Sequence, residues 1–110
     1  MEFEIINAIR KRYPRYIGDD CAVLDCANEK LLLTTDEVVE SIHFNFKYFS
    51  LEDIGYKAAS SATSDIAAMG GKVRGILVSL SIPMDTSKTE IMHLFDGIEL
   101  FCQPPSIEIL

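Results

Sequence analysis

A chain of 110 residues is the size of one ordinary domain, which gives it room for a single core. Its 48% hydrophobic and 25% charged residues are typical of a globular protein and exclude a disordered chain, and its longest apolar run is too short to span a bilayer. A formal net charge of −7 disfavours nucleic acid as a partner, because the phosphate backbone would repel the chain.

Helix-like and strand-like segments alternate along the first half of the chain. Residues Glu2 to Tyr13 approach a helical period, and Pro14 ends this helix. The three basic residues in its last turn complement the helix dipole, with an anion site as the alternative interpretation. Cys21 to Leu24 and Lys30 to Val39 are rich in β-forming residues and predict a hairpin.

Two capping signals place helices in the second half. Ser50 and Asp53 resemble a capping box, which predicts a helix that runs to about Met69. Ser87 and Glu90 repeat the signal and predict a second helix that ends at about Cys102.

Strands are predicted on both sides of the second of these helices. The β-branched, apolar run from Val73 to Ile82 predicts a well buried strand, which Pro83 ends. Ile107 to Leu110 begins one more strand pattern, and the chain stops inside it. We therefore expect an incomplete domain.

Cysteine usage and the amino terminus both favour a cytoplasmic protein. Cys21, Cys26 and Cys102 leave an odd thiol under any pairing and show no CxxC spacing. They indicate reduced thiols rather than a disulfide framework or a zinc site. The amino-terminal residues lack the basic-then-apolar order of a secretory signal.

An acidic protein that handles phosphates would need metal cations as intermediaries.

Aspartates in three separate segments are candidate metal ligands. Asp65 falls on the apolar stripe of its predicted helix, where a bare charge would cost several kcal/mol. It is explained either by a cap or salt bridge, or by a Mg²⁺ site at which Asp19, Asp36 and Asp65 meet near the oxygens of Thr34 and Thr35. Oxygen ligands argue against zinc or copper.

Other motifs carry little chemistry on their own. The stretch MGGKVR lacks the earlier glycine and the following Ser or Thr of a Walker A loop. His43 alone would more often be a packed or exposed histidine than a catalytic one, and we expect His93 to have no companion.

Four motifs in register resemble those of thiamine-monophosphate kinase. They are GDDCAVL at Gly18 to Leu24, LLTTDEVVESIHF at Leu32 to Phe44, DIGYKA at Asp53 to Ala58 and SDIAAMGG at Ser64 to Gly71. This family belongs to a superfamily with aminoimidazole ribonucleotide synthetase and selenophosphate synthetase, whose members use ATP without a P-loop.

The resemblance implies an α+β fold, with helices packed on a mixed sheet that pairs with a second subunit. The expected assembly is a homodimer. Residues 1–110 would form the amino-terminal ATP- and Mg²⁺-binding and dimerisation domain, with the carboxy-terminal domain absent.

The implied reaction is phosphoryl transfer from ATP to thiamine monophosphate, giving thiamine diphosphate. Several Mg²⁺ ions would be needed. The family pattern makes His43 a substrate contact and assigns the Mg²⁺ ligands to Asp19, Thr34, Thr35, Asp36 and Asp65. Asp20 would fix its loop by accepting backbone hydrogen bonds, and Phe95 corresponds loosely to an aromatic residue near the adenine.

Two alternatives remain at this stage. The chain could be a non-catalytic dimerisation module of the same superfamily, or part of a related ATP-using enzyme with a different acceptor. We expect the isolated 110-residue chain to bind Mg²⁺ weakly and not to turn over ATP.

Overall fold

Helices and short strands alternate in the α+β arrangement that the sequence predicts. The computed structural model describes residues 2–15, 21–38, 49–103 and 106–110. Its elements in chain order are α1 (Glu2–Arg12), β1 (Ala22–Cys26), β2 (Glu29–Leu33), α2 (Leu51–Ala68), β3 (Gly75–Ile76), α3 (Lys88–Cys102) and β4 (Glu108–Ile109).

The strands among the described residues form two separate two-stranded sheets rather than one mixed sheet. β1 and β2 make the predicted antiparallel hairpin, in a register that pairs Ala22 with Leu33 at its open end. The second strand is shorter than predicted, because β2 ends at Leu33 and the described residues after it, 34–38, are not in a strand. Ala27, in the turn between them, has a positive φ of 55°. β3 and β4 pair in parallel, with Gly75 opposite Glu108.

The prediction of a strand from Val73 to Ile82 is wrong over most of its length, since only Gly75 and Ile76 pair with another strand of the described residues. Their one partner among the described residues is β4, which itself has two residues. Leu77, immediately after β3, is 82% exposed. Because a β-branched, apolar run becomes a buried strand only where partners cover it, composition alone overstated both the length and the burial.

Both predicted capping boxes are confirmed. The Ser50 hydroxyl accepts the Asp53 N–H at 3.1 Å, and the Asp53 carboxylate accepts the Ser50 N–H at 3.2 Å. Ser87 and Glu90 make the same reciprocal pair at the start of α3. The Ser87 backbone N–H, which donates to the Glu90 carboxylate, is the main cause that lowers the pKa of Glu90, and the Ser87 side chain adds a smaller contribution.

The α2 and α3 helices approach each other backbone to backbone. Gly55 of α2 lies against the main chain of Leu94, and Gly97 of α3 lies against the main chain of Glu52. A Cβ atom at either glycine would overlap a carbonyl oxygen of the other helix. The absence of a side chain at these two positions therefore sets the separation of the helices.

The core lies along this crossing. Its buried members are Ala59, Ile98, Cys102 and Ile107, and half-buried apolar residues from α3, from β3 and from the chain on either side of β3 pack against them. Burial raises the pKa of the Cys102 thiol, with a smaller contribution from the charge of Glu99. In the part of the chain that the structure describes, no helix combines the length and the apolar character needed to cross a membrane.

Gly97→Ala should destabilise the chain by about 2–3 kcal/mol, because a methyl group placed against a neighbouring backbone forces the helices apart. This cost exceeds the ~1 kcal/mol that alanine gains over glycine in helix propensity. Urea unfolding measures the loss. The exposed Ser60→Ala on α2 is the control and should stay within about 0.5 kcal/mol of the parent. Equal stability of the two variants would show that the helices do not touch at Gly97.

Candidate divalent-cation site

The last third of α2 presents Asp65 to the end of the β1–β2 hairpin. Asp65 is half-buried, in keeping with its predicted place on the apolar stripe of the helix. The Thr34 hydroxyl donates a hydrogen bond to Asp65 Oδ2 at 3.3 Å. Two of the five predicted ligands, 31 residues apart in sequence, are therefore in contact.

The open end of the hairpin is held against α2 from both strands. Since Ala22 pairs with Leu33, the flanking residues Cys21 and Thr34 lie at the same end of the hairpin. The buried Cys21 thiol donates to the Asp65 carbonyl oxygen at 3.4 Å, while Thr34 bonds the side chain of the same residue. The hairpin and α2 thus fix one another where the candidate ligands gather.

Two further predicted ligands, Thr35 and Asp36, follow Thr34 directly in the segment after β2. Thr35 and Asp36 are both exposed. Asp36 Oδ1 accepts the backbone N–H of Glu37 at 2.8 Å, which orients the carboxylate at the start of the segment after β2. Asp19 and His43 lie outside the described residues, as does Asp20, so their assignments stay predictions.

The two side-chain oxygens that are in contact here are ligand types that suit a hard cation. Asp65 and Thr34 offer a carboxylate and a hydroxyl oxygen, which are the ligand types that Mg²⁺ accepts. Among the described residues Asp65 makes no ion pair with Lys or Arg, and a neutral hydroxyl does not cancel its charge. A cation at Asp65 would balance a half-buried charge that no Lys or Arg of the described residues balances.

Phe95, which the family pattern places loosely near the adenine, packs against the core cluster in this structure. It is half-buried on α3. Packing against the core therefore explains the position of Phe95.

The structure brings together a second group of ligand-type side chains that the sequence did not predict. His93 has two companions, contrary to expectation: its Nδ1 lies 3.2 Å from Glu52 Oε1 and 3.8 Å from Asp96 Oδ2. Asp96 could have been found, because residues three apart share a helix face. Glu52 could not, because it is 41 residues away and reaches His93 only through the α2–α3 crossing.

The chain matches a known protein family. Residues 18–110 match the family described as AIR synthase related protein, N-terminal domain. The chain belongs to this family. The match to the AIR synthase related proteins begins at the Gly18 motif and covers most of the chain, including every predicted ligand.

Similar curated proteins are thiamine-monophosphate kinases. The chain is 38% identical to the thiamine-monophosphate kinase of Bacillus subtilis over 104 residues, which is 88% of this chain and 32% of that protein. It is 36% identical to the thiamine-monophosphate kinase of Aquifex aeolicus, over 99% of this chain and 36% of that protein. The chain therefore spans about a third of the length of these relatives.

Solved structures agree in fold. The structure of AaThiL complexed with AMPPCP and TMP matches this chain with a TM-score of 0.88 and 34% identity, over 99% of this chain and 35% of that one. A crystal structure of thiamine monophosphate kinase from Aquifex aeolicus gives a TM-score of 0.80 and 30% identity, over 99% and 36% of the two chains. At these identities the likeness extends beyond topology to sequence.

Thr34→Val should cost about 1–2 kcal/mol of stability, because it removes a hydrogen bond to a charged group at the hairpin–helix contact. The neighbouring Thr35→Val, at an exposed position, is the matched control and should change stability by no more than about 0.5 kcal/mol.

Urea unfolding of Thr34→Val, Asp65→Asn and the double variant forms a double-mutant cycle. We expect an interaction energy of at least about 0.5 kcal/mol, as found for residues in direct contact. Strict additivity of the two substitutions would contradict the contact.

Proposed function

We infer that this chain forms the amino-terminal part of a kinase that transfers a phosphoryl group from ATP to thiamine monophosphate, giving thiamine diphosphate. The observation that carries the proposal is the contact between Thr34 and Asp65, which joins two of the family motifs at one place. The names of the relatives support the choice of substrate, as does the presence of AMPPCP, an ATP analogue, and TMP in a structure 34% identical to this chain.

The proposal assigns roles to the predicted residues. Asp65, Thr34, Thr35 and Asp36 hold Mg²⁺ from α2 and from the segment that follows β2. Asp19 completes the set from the segment before β1, since it precedes Cys21 by two residues and Cys21 already contacts Asp65. His43 contacts the thiamine substrate.

Positioning and charge neutralisation are the main requirements of this reaction. Phosphoryl transfer between two oxygens needs in-line alignment and stabilisation of charge on the phosphoryl oxygens, rather than a covalent nucleophile. Bound Mg²⁺ supplies positive charge that an acidic chain of net charge −7 lacks. The chain's own part is to hold its carboxylates on a helix and a hairpin that fix one another.

Dimerisation and a cytoplasmic location belong to the same proposal. Large apolar side chains remain exposed on several elements, among them Phe3 and Leu77, which are 80% and 82% exposed. Exposed apolar side chains are available to pack against further protein, and a homodimer would use some of them. The three free cysteines fit a reducing compartment.

A chimera tests the catalytic assignment. In the Aquifex aeolicus enzyme, the segment that matches this chain is replaced by residues 1–110, and thiamine diphosphate is measured with ATP, Mg²⁺ and thiamine monophosphate. We expect activity from the chimera. Asp65→Asn should lower it at least ~100-fold, because one metal-bound charge is lost from the site where charge develops.

The chimera has two controls. Asp85→Asn changes an exposed carboxylate between β3 and α3 and should leave activity unchanged. The isolated chain should give no thiamine diphosphate. A folded chimera that is inactive, or one whose activity survives Asp65→Asn, would refute the assignment and favour a non-catalytic module or a different acceptor.

A further inference from the structure

A second cluster of ligand-type side chains lies at the other end of α2 from Asp65. Glu52, in the first turn of α2, faces His93 and Asp96 of α3. One ligand atom from each of the three lies within 4.8 Å of the other two, and among the described residues this is the group of three His, Cys, Asp or Glu side chains that meets that spacing. All three are exposed, so an ion could reach them from solvent.

The spacing of the ligand atoms suits a small transition-metal ion. Two ligands of tetrahedral Zn²⁺ are separated by roughly 3.3 Å, given metal–ligand bonds of about 2.0–2.1 Å. His93 Nδ1 lies 3.2 Å from Glu52 Oε1 and 3.8 Å from Asp96 Oδ2, which brackets this value. Since all three atoms lie within 4.8 Å of one another on exposed side chains, side-chain rotations could bring them around one ion.

The chemistry of the donors favours the same class of ion. One imidazole nitrogen and two carboxylate oxygens form a mixed set that suits Zn²⁺, Co²⁺ or Ni²⁺, whereas Mg²⁺ prefers oxygen ligands alone. With the imidazole neutral, the two carboxylates carry a charge that one divalent ion balances. Water would fill the remaining coordination positions, as it does in open three-ligand zinc sites.

The backbone that carries these ligands is rigidly placed. Gly97, next to Asp96, lies against the main chain of Glu52, so the two helices meet at the cluster itself. His93 and Asp96 are one turn apart on the same face of α3. Ligands fixed by packed helices lose less freedom on binding an ion than ligands on loops.

We propose that Glu52, His93 and Asp96 form a surface site for a transition-metal ion of the Zn²⁺ type, which links α2 to α3. The site is separate from the candidate Mg²⁺ site and does not depend on the kinase proposal. A bound ion would hold the start of α2 against the middle of α3.

Titration with Zn²⁺ in excess Mg²⁺ tests the proposal on the chain with ¹⁵N-labelled histidine. A Cys26→Ser background removes the exposed thiol, which could bind Zn²⁺ by itself. We expect the His93 Nδ1 resonance to shift on addition of Zn²⁺ and to be unaffected by Mg²⁺. His43 is the other histidine of the chain and serves as an internal reference.

Variants of the two carboxylates decide whether three residues share the ion. Glu52→Gln and Asp96→Asn should each weaken Zn²⁺ binding at His93 about 10-fold or more. Glu99→Gln, an exposed carboxylate on the same helix, should leave the affinity unchanged. No shift at His93, or a shift whose affinity is the same in all three variants, would overturn the site.

Discussion

The contact between the backbones of α2 and α3 is the constraint on which the rest of this structure depends. Gly55 and Gly97 let the helices touch, and the core residues Ala59, Ile98 and Cys102 fill the space along the crossing. Once α2 is fixed in this way, its two ends are fixed as well. Glu52 and Asp65 are thirteen residues apart, which places them about 20 Å from each other along the helix axis.

At the carboxyl-terminal end of α2, Asp65 connects the helix to the hairpin. Its carbonyl oxygen accepts from Cys21 and its carboxylate accepts from Thr34, so one residue holds the open end of the hairpin to the helix from the side of both strands. The same geometry gathers oxygen ligands at a place where the chain offers no counter-charge within the described residues. The structural contacts of Asp65 thus lie at the residue that is also proposed as a cation ligand.

Features that depend on residues close in sequence could be predicted, whereas strand length and the contacts of His93 depend on residues far apart in sequence and could not. Ser50 and Ser87 identify the starts of both long helices because a capping box is complete within four residues. The predicted length of β3 is wrong because a strand depends on partner strands, and the apolar run from Val73 to Ile82 does not specify them. The sequence does not predict the contact between His93 and Glu52, because the two residues come near only through the crossing of α2 and α3. The glycines that allow this crossing give no periodic signal in the sequence. The family motifs grouped Thr34 with Asp65 before any geometry was known, and these two are in contact.

The central claim is that a divalent ion binds where α2 meets the end of the hairpin. Paramagnetic broadening by Mn²⁺, used in place of Mg²⁺, reads this out residue by residue in ¹⁵N-labelled chain. We expect trace Mn²⁺ to broaden the amide signals of Thr34, Asp36 and Asp65, and excess Mg²⁺ to restore them. Sharp signals at these three residues, at Mn²⁺ concentrations that broaden others, would contradict it.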